Sequence, residues 1–334
     1  MTKILLYGAG PMAVEYAKVL TALQKDFDVI GRGEASAKLF EEKTGKKVLL
    51  NNLQHSNSSP VGEDKGEVAK ENAANYFIQS SDYSAVIVAV SMEQLGNVTR
   101  HLLENNFKNI LVEKPGGLNG ADIQAVSHLT TEKNATVLLA YNRRFYASVL
   151  AAEKLINDDG GLTSMHFEFT EWSHVIEPLQ KAEGVKENWF LGNSTHVVDL
   201  AFYLGGNAEK ISCYKSGSLA WHPSGAAFAG SGITDKNVLF SYNANWNAPG
   251  RWGVELMTNN YRIILKPLEK LQIQKKGSVG IDEILIDDKL DKDFKPGLYL
   301  QTQLFLNNDV AKFSNIHEQA EKANGIYHQM INAV

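Results

Sequence analysis

The chain has 334 residues, with 33 Lys and Arg against 38 Asp and Glu, so its formal net charge of −5 lacks the basic surplus of a nucleic-acid binder. With 44% hydrophobic and 21% charged residues it has a folded rather than disordered composition, and it is long enough for two domains. Cys213 is the single cysteine, which excludes an intrachain disulfide and a thiolate metal cluster. No apolar run approaches the ~18 residues of a membrane helix, and the amino terminus reads into a strand instead of a signal peptide, so a cytoplasmic protein is expected. Its nine histidines, scattered without the paired spacing of a zinc helix, argue against a bound metal.

Lys3 to Tyr7 predicts a buried strand, broken at once by Gly8-Ala9-Gly10-Pro11-Met12-Ala13 and followed by a helical run to Leu23. In this G-x-G-x-x-A pattern Gly8 permits the tight turn, Gly10 lets the backbone approach a pyrophosphate, and Ala13 keeps helix and strand close. The helix start then offers free N–H groups to an anion. Gly8, Gly10, Pro11, Met12 and Ala13 are therefore expected to bind a dinucleotide. The second strand, Asp28 to Ile30, ends at Gly31-Arg32-Gly33, where an acid would read the ribose of NAD. Arg32 suits a 2′-phosphate instead, which favours NADP, while Glu34 two residues on keeps NAD open. A solvated loop arginine is the plain alternative.

Residues 34 to 44 read as a helix stopped by Gly45, Val48 to Leu50 as a third strand, and Asn51 to about Lys70 as a long surface loop. Ala85 to Val90 is apolar on both faces, as a central parallel strand should be, and ends at Ser91. A helix from about Gln94 to Asn105 leads to the strand Ile110-Leu111-Val112, which stops at Glu113-Lys114-Pro115-Gly116-Gly117. Lys114 thus stands at a strand's carboxyl end, the edge where open parallel sheets bind ligands. A helix near Ala121 to Thr131 and a strand from Ala135 to Tyr141 complete a doubly wound α/β domain over residues 1–141.

The glycine loop, the Glu113-Lys114-Pro115 about a hundred residues later, and Asn142-Arg143-Arg144-Phe145 after the sixth strand resemble the Gfo/Idh/MocA oxidoreductases, the family of glucose-fructose oxidoreductase and inositol dehydrogenase. The resemblance implies a Rossmann domain that holds the nicotinamide cofactor, with Ser91, Glu113 and Lys114 added to the cofactor-binding set. It also implies a carboxyl-terminal α+β domain over 142–334, whose open-faced sheet serves assembly as a homodimer or homotetramer.

In that second half Met165, Phe167 and Phe169 alternate with polar residues, as do Val238 to Trp246, which predicts half-buried antiparallel strands. Ile211 to Lys215, Val254 to Met257, Arg262 to Leu265 and Leu271 to Gln274 are further strand candidates, with Asn259-Asn260 as a turn. Tyr299 to Asn307 and Ile316 to Ile331 read as closing amphipathic helices. Asn193 or Ser194 is placed to cap a helix running to Leu204, which would set His196 in the first turn, facing Asp199 and kept neutral by the helix dipole. A structural histidine is the alternative from this segment alone. The family motif Asp-x-x-x-His-x-x-Asp matches at His196 and Asp199, but Gly192 stands in place of its first aspartate.

The resemblance thus implies Lys114 and His196 as catalytic residues, with His196 taking the hydroxyl proton and Lys114 stabilising the alkoxide. Lys114, Asn193, His196 and Trp172 form the expected substrate-binding set, with Glu171 and His174 as weaker candidates and Arg251 and Trp252 left unassigned. The expected activity moves a hydride between NADP or NAD and a secondary alcohol or ketone of a sugar, nucleotide sugar or cyclitol. A glycosidase using NAD transiently and a dinucleotide-sensing regulator are the alternatives.

Overall fold

The computed structural model describes residues 3–50 and 78–332, and the loop expected from Asn51 to Lys70 lies outside them. Strands and helices alternate through the first half: β1 (Lys3–Tyr7), α1 (Pro11–Ala22), β2 (Phe27–Gly31), α2 (Glu34–Thr44), β3 (Val48–Leu50), β4 (Tyr83–Val88), α3 (Met92–Glu104), β5 (Asn109–Val112), α4 (Gly120–Glu132) and β6 (Thr136–Leu139). These six strands pair in parallel in the order β6-β5-β4-β1-β2-β3. Strand order therefore reverses between β1 and β4, and the crevice outside that reversal is where such sheets bind ligands. Leu5, Leu6, Ile87, Val88, Ile110 and Leu111 are all fully buried, so helices cover both faces of the sheet. Each such side chain contributes ~1.5–3 kcal/mol by leaving water. Pro11 opens α1 behind Gly10, and Gly45, at φ 69°, closes α2.

A 3-10 turn, Asn142–Phe145, and α5 (Ala147–Asp158) lead into the second sheet. Its strands are β7 (Ser164–Glu168), then, after a short α6 (Ser173–Ile176) and α7 (Thr195–Gly205), β8 (Ala208–Ser216), β9 (Ala227–Thr234), β10 (Leu239–Asn245), β11 (Gly253–Met257), β12 (Tyr261–Leu265), β13 (Gln272–Lys275) and β14 (Asp282–Glu283). The order is β14-β13-β12-β11-β7-β10-β9-β8, antiparallel throughout except for β7 against β10. Along β10, Phe240, Tyr242 and Ala244 are buried while Leu239, Ser241, Asn243 and Asn245 are exposed, which leaves the expected open face. On the covered face Phe202 of α7 meets the rings of Phe167 and Phe240 at 5.6 and 5.2 Å.

β9 was not among the expected strands, because Ala227 to Thr234 holds few large apolar residues. Its glycines explain the composition: a Cβ on Gly230 would lie 2.5 Å from the Tyr242 ring, and one on Gly232 would strike Phe240 and the Lys210 carbonyl. Aromatic rings of β10 lie across β9, and only glycine leaves room for them.

The chain then returns to the first sheet through α8 (Lys289–Asp293), α9 (Leu298–Leu306), β15 (Ser314–Asn315), α10 (Ile316–Asn324) and α11 (Ile326–Asn332). β15 adds an antiparallel strand beside β6, and α9 and α10 lie against α1 and α4. The single closing helix expected over 316–331 is two helices, parted at Gly325. No helix among the described residues is long and apolar enough to cross a membrane.

Asp199 does not pair with His196, as its spacing implied. Its carboxylate takes Arg144 Nε at 2.7 Å and Nη2 at 2.6 Å, and Lys322 Nζ at 3.2 Å, inside the fold. Burial alone would raise its pKa, but Arg144 and Lys322 hold it below the ordinary carboxylate range. The ion cluster joins the turn after β6, α7 and α10. Breaking a buried pair leaves uncompensated charge and costs ~3–5 kcal/mol. Asp199→Asn is therefore expected to lower the urea midpoint of unfolding clearly, and an unchanged midpoint would show the cluster to be dispensable.

Candidate active site

The cleft at the strand reversal has a volume of about 800 Å³ and is lined by Tyr7, Gly8, Gly10, Pro11, Met12, Arg32, Ser36 and Ser91, among others. Gly8 sits at φ +131°, and a Cβ there would strike the Ala89 carbonyl at the end of β4. At Gly10 a Cβ would meet nothing within 4 Å, so the loop is open on the side from which a pyrophosphate would approach. The residues thus fit a dinucleotide. Of the expected cofactor set, Gly8, Gly10, Pro11, Met12, Arg32 and Ser91 line the cleft, Glu113 and Lys114 do not, and Ala13 is fully buried between helix and sheet, as its packing role demands.

Arg32 donates through Nη1 to Gln94 Oε1 at 2.9 Å across the cleft mouth. The Ser91 hydroxyl bonds to Glu93. Ser36 in the first turn of α2 was not foreseen. The signal lay in Gly31-Arg32-Gly33-Glu34-Ala35-Ser36, which sets a hydroxyl three residues into a helix beside an arginine.

Past the carboxyl end of β5, Glu113 accepts from the buried Tyr16 hydroxyl at 2.8 Å, and burial raises its pKa. The half-buried Lys114 donates through Nζ to the Gly192 carbonyl, bridging the two halves of the chain. Burial, helped by the Arg143 charge, lowers its pKa to about 7. Gly192 belongs to a π-helical turn, Phe190–Ser194, that runs directly into α7. A Cβ at 192 would lie 2.6 Å from the sulfur of Met92, so a methionine from α3 fills the space beside this glycine.

Because that turn is already helical, neither Asn193 nor Ser194 caps α7, and His196 does not occupy a free helix start. Its pKa does lie well below the ordinary value, but the causes are burial, Arg143 and Lys114. The His196 Nδ1 atom is buried without a hydrogen-bond partner, and so is Trp252 Nε1; the two rings stand 6.0 Å apart. A buried polar group left unpaired costs ~1–3 kcal/mol. Two such groups side by side mark a place where a bound molecule would complete the bonding.

Glu171 is almost entirely buried and accepts from Asn193 Nδ2 at 3.0 Å and from the Ser194 hydroxyl at 2.8 Å. It therefore brings a carboxylate close to the π-helical turn from the far end of β7, while burial raises its pKa. Trp172 lies further out, 44% exposed, with Nε1 on the Gly250 carbonyl at 2.8 Å. Its ring lines a neighbouring cavity of about 700 Å³ together with His174, Trp246 and Pro249.

Since a Cβ at position 8 collides with backbone, Gly8→Ala should weaken NADPH and NADH binding at least about tenfold in a nicotinamide-fluorescence titration, in keeping with backbone strain at positive φ. Unaltered affinity would mean that the loop does not contact the cofactor.

Residues 2–141 match the Gfo/Idh/MocA family, described as an oxidoreductase family with an NAD-binding Rossmann fold. No curated protein matches the chain by sequence. Solved structures share its fold over almost its whole length. Levoglucosan dehydrogenase in complex with NADH is 15% identical with a TM-score of 0.74, covering 99% of this chain and 96% of that one. UDP-N-acetylglucosamine 3-dehydrogenase GnnA from Acidithiobacillus ferrooxidans is 11% identical with a TM-score of 0.68, covering 99% and 97%. The dehydrogenase MviM from Clostridium difficile is 15% identical with a TM-score of 0.72, covering 100% and 99%. On this match residues 2–141 are an NAD-binding Rossmann domain of the Gfo/Idh/MocA oxidoreductase family, and the chain is a dehydrogenase or reductase dependent on a nicotinamide cofactor.

Proposed function

We propose that the chain moves a hydride between NADP, in preference to NAD, and a secondary alcohol or ketone carbon of a sugar, nucleotide sugar or cyclitol. The observation that carries this reading is the bond from Lys114, at the end of β5, to Gly192, four residues before the orphaned His196, whose ring stands by the orphaned Trp252 and feels the Lys114 charge. Sugar and nucleotide-sugar dehydrogenases among the proteins of like fold support the substrate class. Nicotinamide C4 supplies or accepts the hydride when the cofactor is bound. The protein's own task is to hold the reacting carbon and move one proton.

The electrostatics favour Lys114 over His196 for that proton. A proton-transfer group works best with a pKa near the working pH. Lys114 lies at about 7, whereas His196 is pushed well below the ordinary histidine value and so resists protonation. In oxidation neutral Lys114 takes the hydroxyl proton, and in reduction its ammonium returns one. His196 stays neutral and makes a positioning hydrogen bond to the substrate oxygen. The Asn193 amide is fixed by Glu171 through Nδ2, which leaves Oδ1 for a second substrate hydroxyl. Trp172, in its own cavity but joined to Trp252 through Arg251, is the outermost substrate contact in this reading, and the open face of the second sheet, with Tyr214 and Leu239 exposed on it, serves assembly as a homodimer or homotetramer.

For the cofactor, Arg32 and Ser36 at the start of α2 suit a 2′-phosphate, with Gln94 holding the guanidinium. Arg32→Ala should weaken NADPH binding ~10-fold or more and leave NADH nearly unchanged, read by nicotinamide fluorescence. A wild type that prefers NADH, or a mutant that loses both alike, would reverse the cofactor assignment.

The pH dependence has a definite sign. Oxidation needs Lys114 neutral, so kcat/KM for the alcohol should climb with pH and level off above about 7, while reduction falls over the same range. His196→Asn should lower the rate without moving that break, and Lys114→Arg should abolish turnover while retaining cofactor binding. A break that moves with His196 would return the proton to the histidine.

A further inference from the structure

Beyond the orphaned indole, Trp252 is part of a stack that the hydride reaction does not explain. The Arg143 guanidinium lies 4.7 Å from the Trp252 ring, Arg251 lies 5.0 Å from the same ring, and Arg251 lies 4.7 Å from Trp172. Guanidinium and indole groups thus alternate from beside His196 out to the surface. Stacking fixes a guanidinium through its faces and leaves its in-plane N–H donors free for a planar or tetrahedral oxyanion.

Those donors have little to bind in the protein itself. Arg143 Nη1 reaches Asn142 Oδ1 at 3.3 Å, and neither Arg143 nor Arg251 has a carboxylate within 4.0 Å among the described residues. The nearby acids are otherwise engaged. Glu113 is held by Tyr16, Glu171 by Asn193 and Ser194, and Glu168 by Lys266 at 2.6 Å and the Arg251 backbone N–H at 3.1 Å. Glu269 and Glu171 act on Arg143, and Glu171 on Arg251, only from beyond ion-pair distance. Meanwhile Gly192 stands where the family motif has an acid, and the Lys114 and Arg143 charges act on each other. Arg143 is half-buried, and an unpaired cation drawn partly out of water is unfavourable until an anion meets it, while Arg251 is exposed and open to a ligand.

We propose that the substrate is itself an acid: a sugar or cyclitol bearing a carboxylate or phosphate group that seats against Arg143 and Arg251, with Trp252 Nε1 donating to the same ligand. This rests on the oxidoreductase reading and names the substrate class within it. Bidentate arginine pairing accounts for the use of arginine rather than lysine in the stack.

The test compares matched probes on the full-length protein saturated with NADPH or NADP by calorimetry: D-glucose against D-glucuronate, D-glucose 6-phosphate and UDP-glucose, and the same set with galactose. The acid members should bind at least about 100-fold more tightly than their neutral partners, and whether uronate, sugar phosphate or nucleotide sugar binds best identifies the anion's source. Arg251→Ala and Arg143→Lys should each remove ~10-fold or more of that difference while still titrating with NADPH, which shows that the variants fold. Equal affinity within each set, no binding by any acid, or equal loss for acid and neutral members in the arginine variants would overturn the proposal. The oxidoreductase reading fails separately, if bound probes of either kind leave the nicotinamide absorbance unchanged.

Discussion

The bond from the Lys114 ammonium to the Gly192 carbonyl is the constraint on which the rest of the site depends. Lys114 leaves the end of β5 in the nucleotide-binding sheet, and Gly192 lies in the π-helical turn that begins α7 on the second sheet. The contact therefore sets the distance between the cofactor cleft and the residues around His196. A π-helical turn widens the backbone by one residue and is frequent at functional sites. Here it turns the Gly192 carbonyl toward the lysine and the Ser194 and Asn193 side chains toward Glu171.

The partner's neutrality matters as much as its position. A carboxylate beside an ammonium stabilises the charged form and raises its pKa, whereas a carbonyl supplies a dipole without a full charge. With glycine at 192 and the Met92 side chain filling the space beside it, burial and Arg143 prevail over Glu113 and Glu171, and the lysine falls to about 7. The departure from the family's acidic residue is thus compatible with proton transfer, through a lysine matched to neutral pH rather than a carboxylate–histidine pair. Arg143 adds a second positive group beside the lysine, and Arg251 extends the run of guanidinium groups outward.

The parallel sheet, the glycine loop and the placement of Lys114 were legible because each follows from local chemistry: an apolar run, a turn that only glycine tolerates, and a strand that stops. His196 was legible as a residue but not in its surroundings. The spacing of three to Asp199 suggested a pair, yet Arg144, 55 residues earlier in the chain, offers that carboxylate a bidentate partner that a histidine cannot match. The π-helical turn carries no periodic signature, so Asn193 and Ser194 read as caps. β9 was hidden because its small residues are dictated by the rings of β10, a neighbour that local pattern does not reveal. Glu171, Trp252 and Arg143 meet only through long-range packing, and nothing adjacent to them in sequence announces it.

Proton transfer at this site depends on how Lys114 titrates, and this can be observed without knowing the substrate. In a 13C NMR titration of lysine side chains in the full-length protein, the resonance that disappears in Lys114→Arg should titrate at about 7, apart from the other lysines. A Lys114 resonance that titrates with the rest, near the ordinary lysine value of ~10.4, would contradict the account and remove the basis for assigning it the proton.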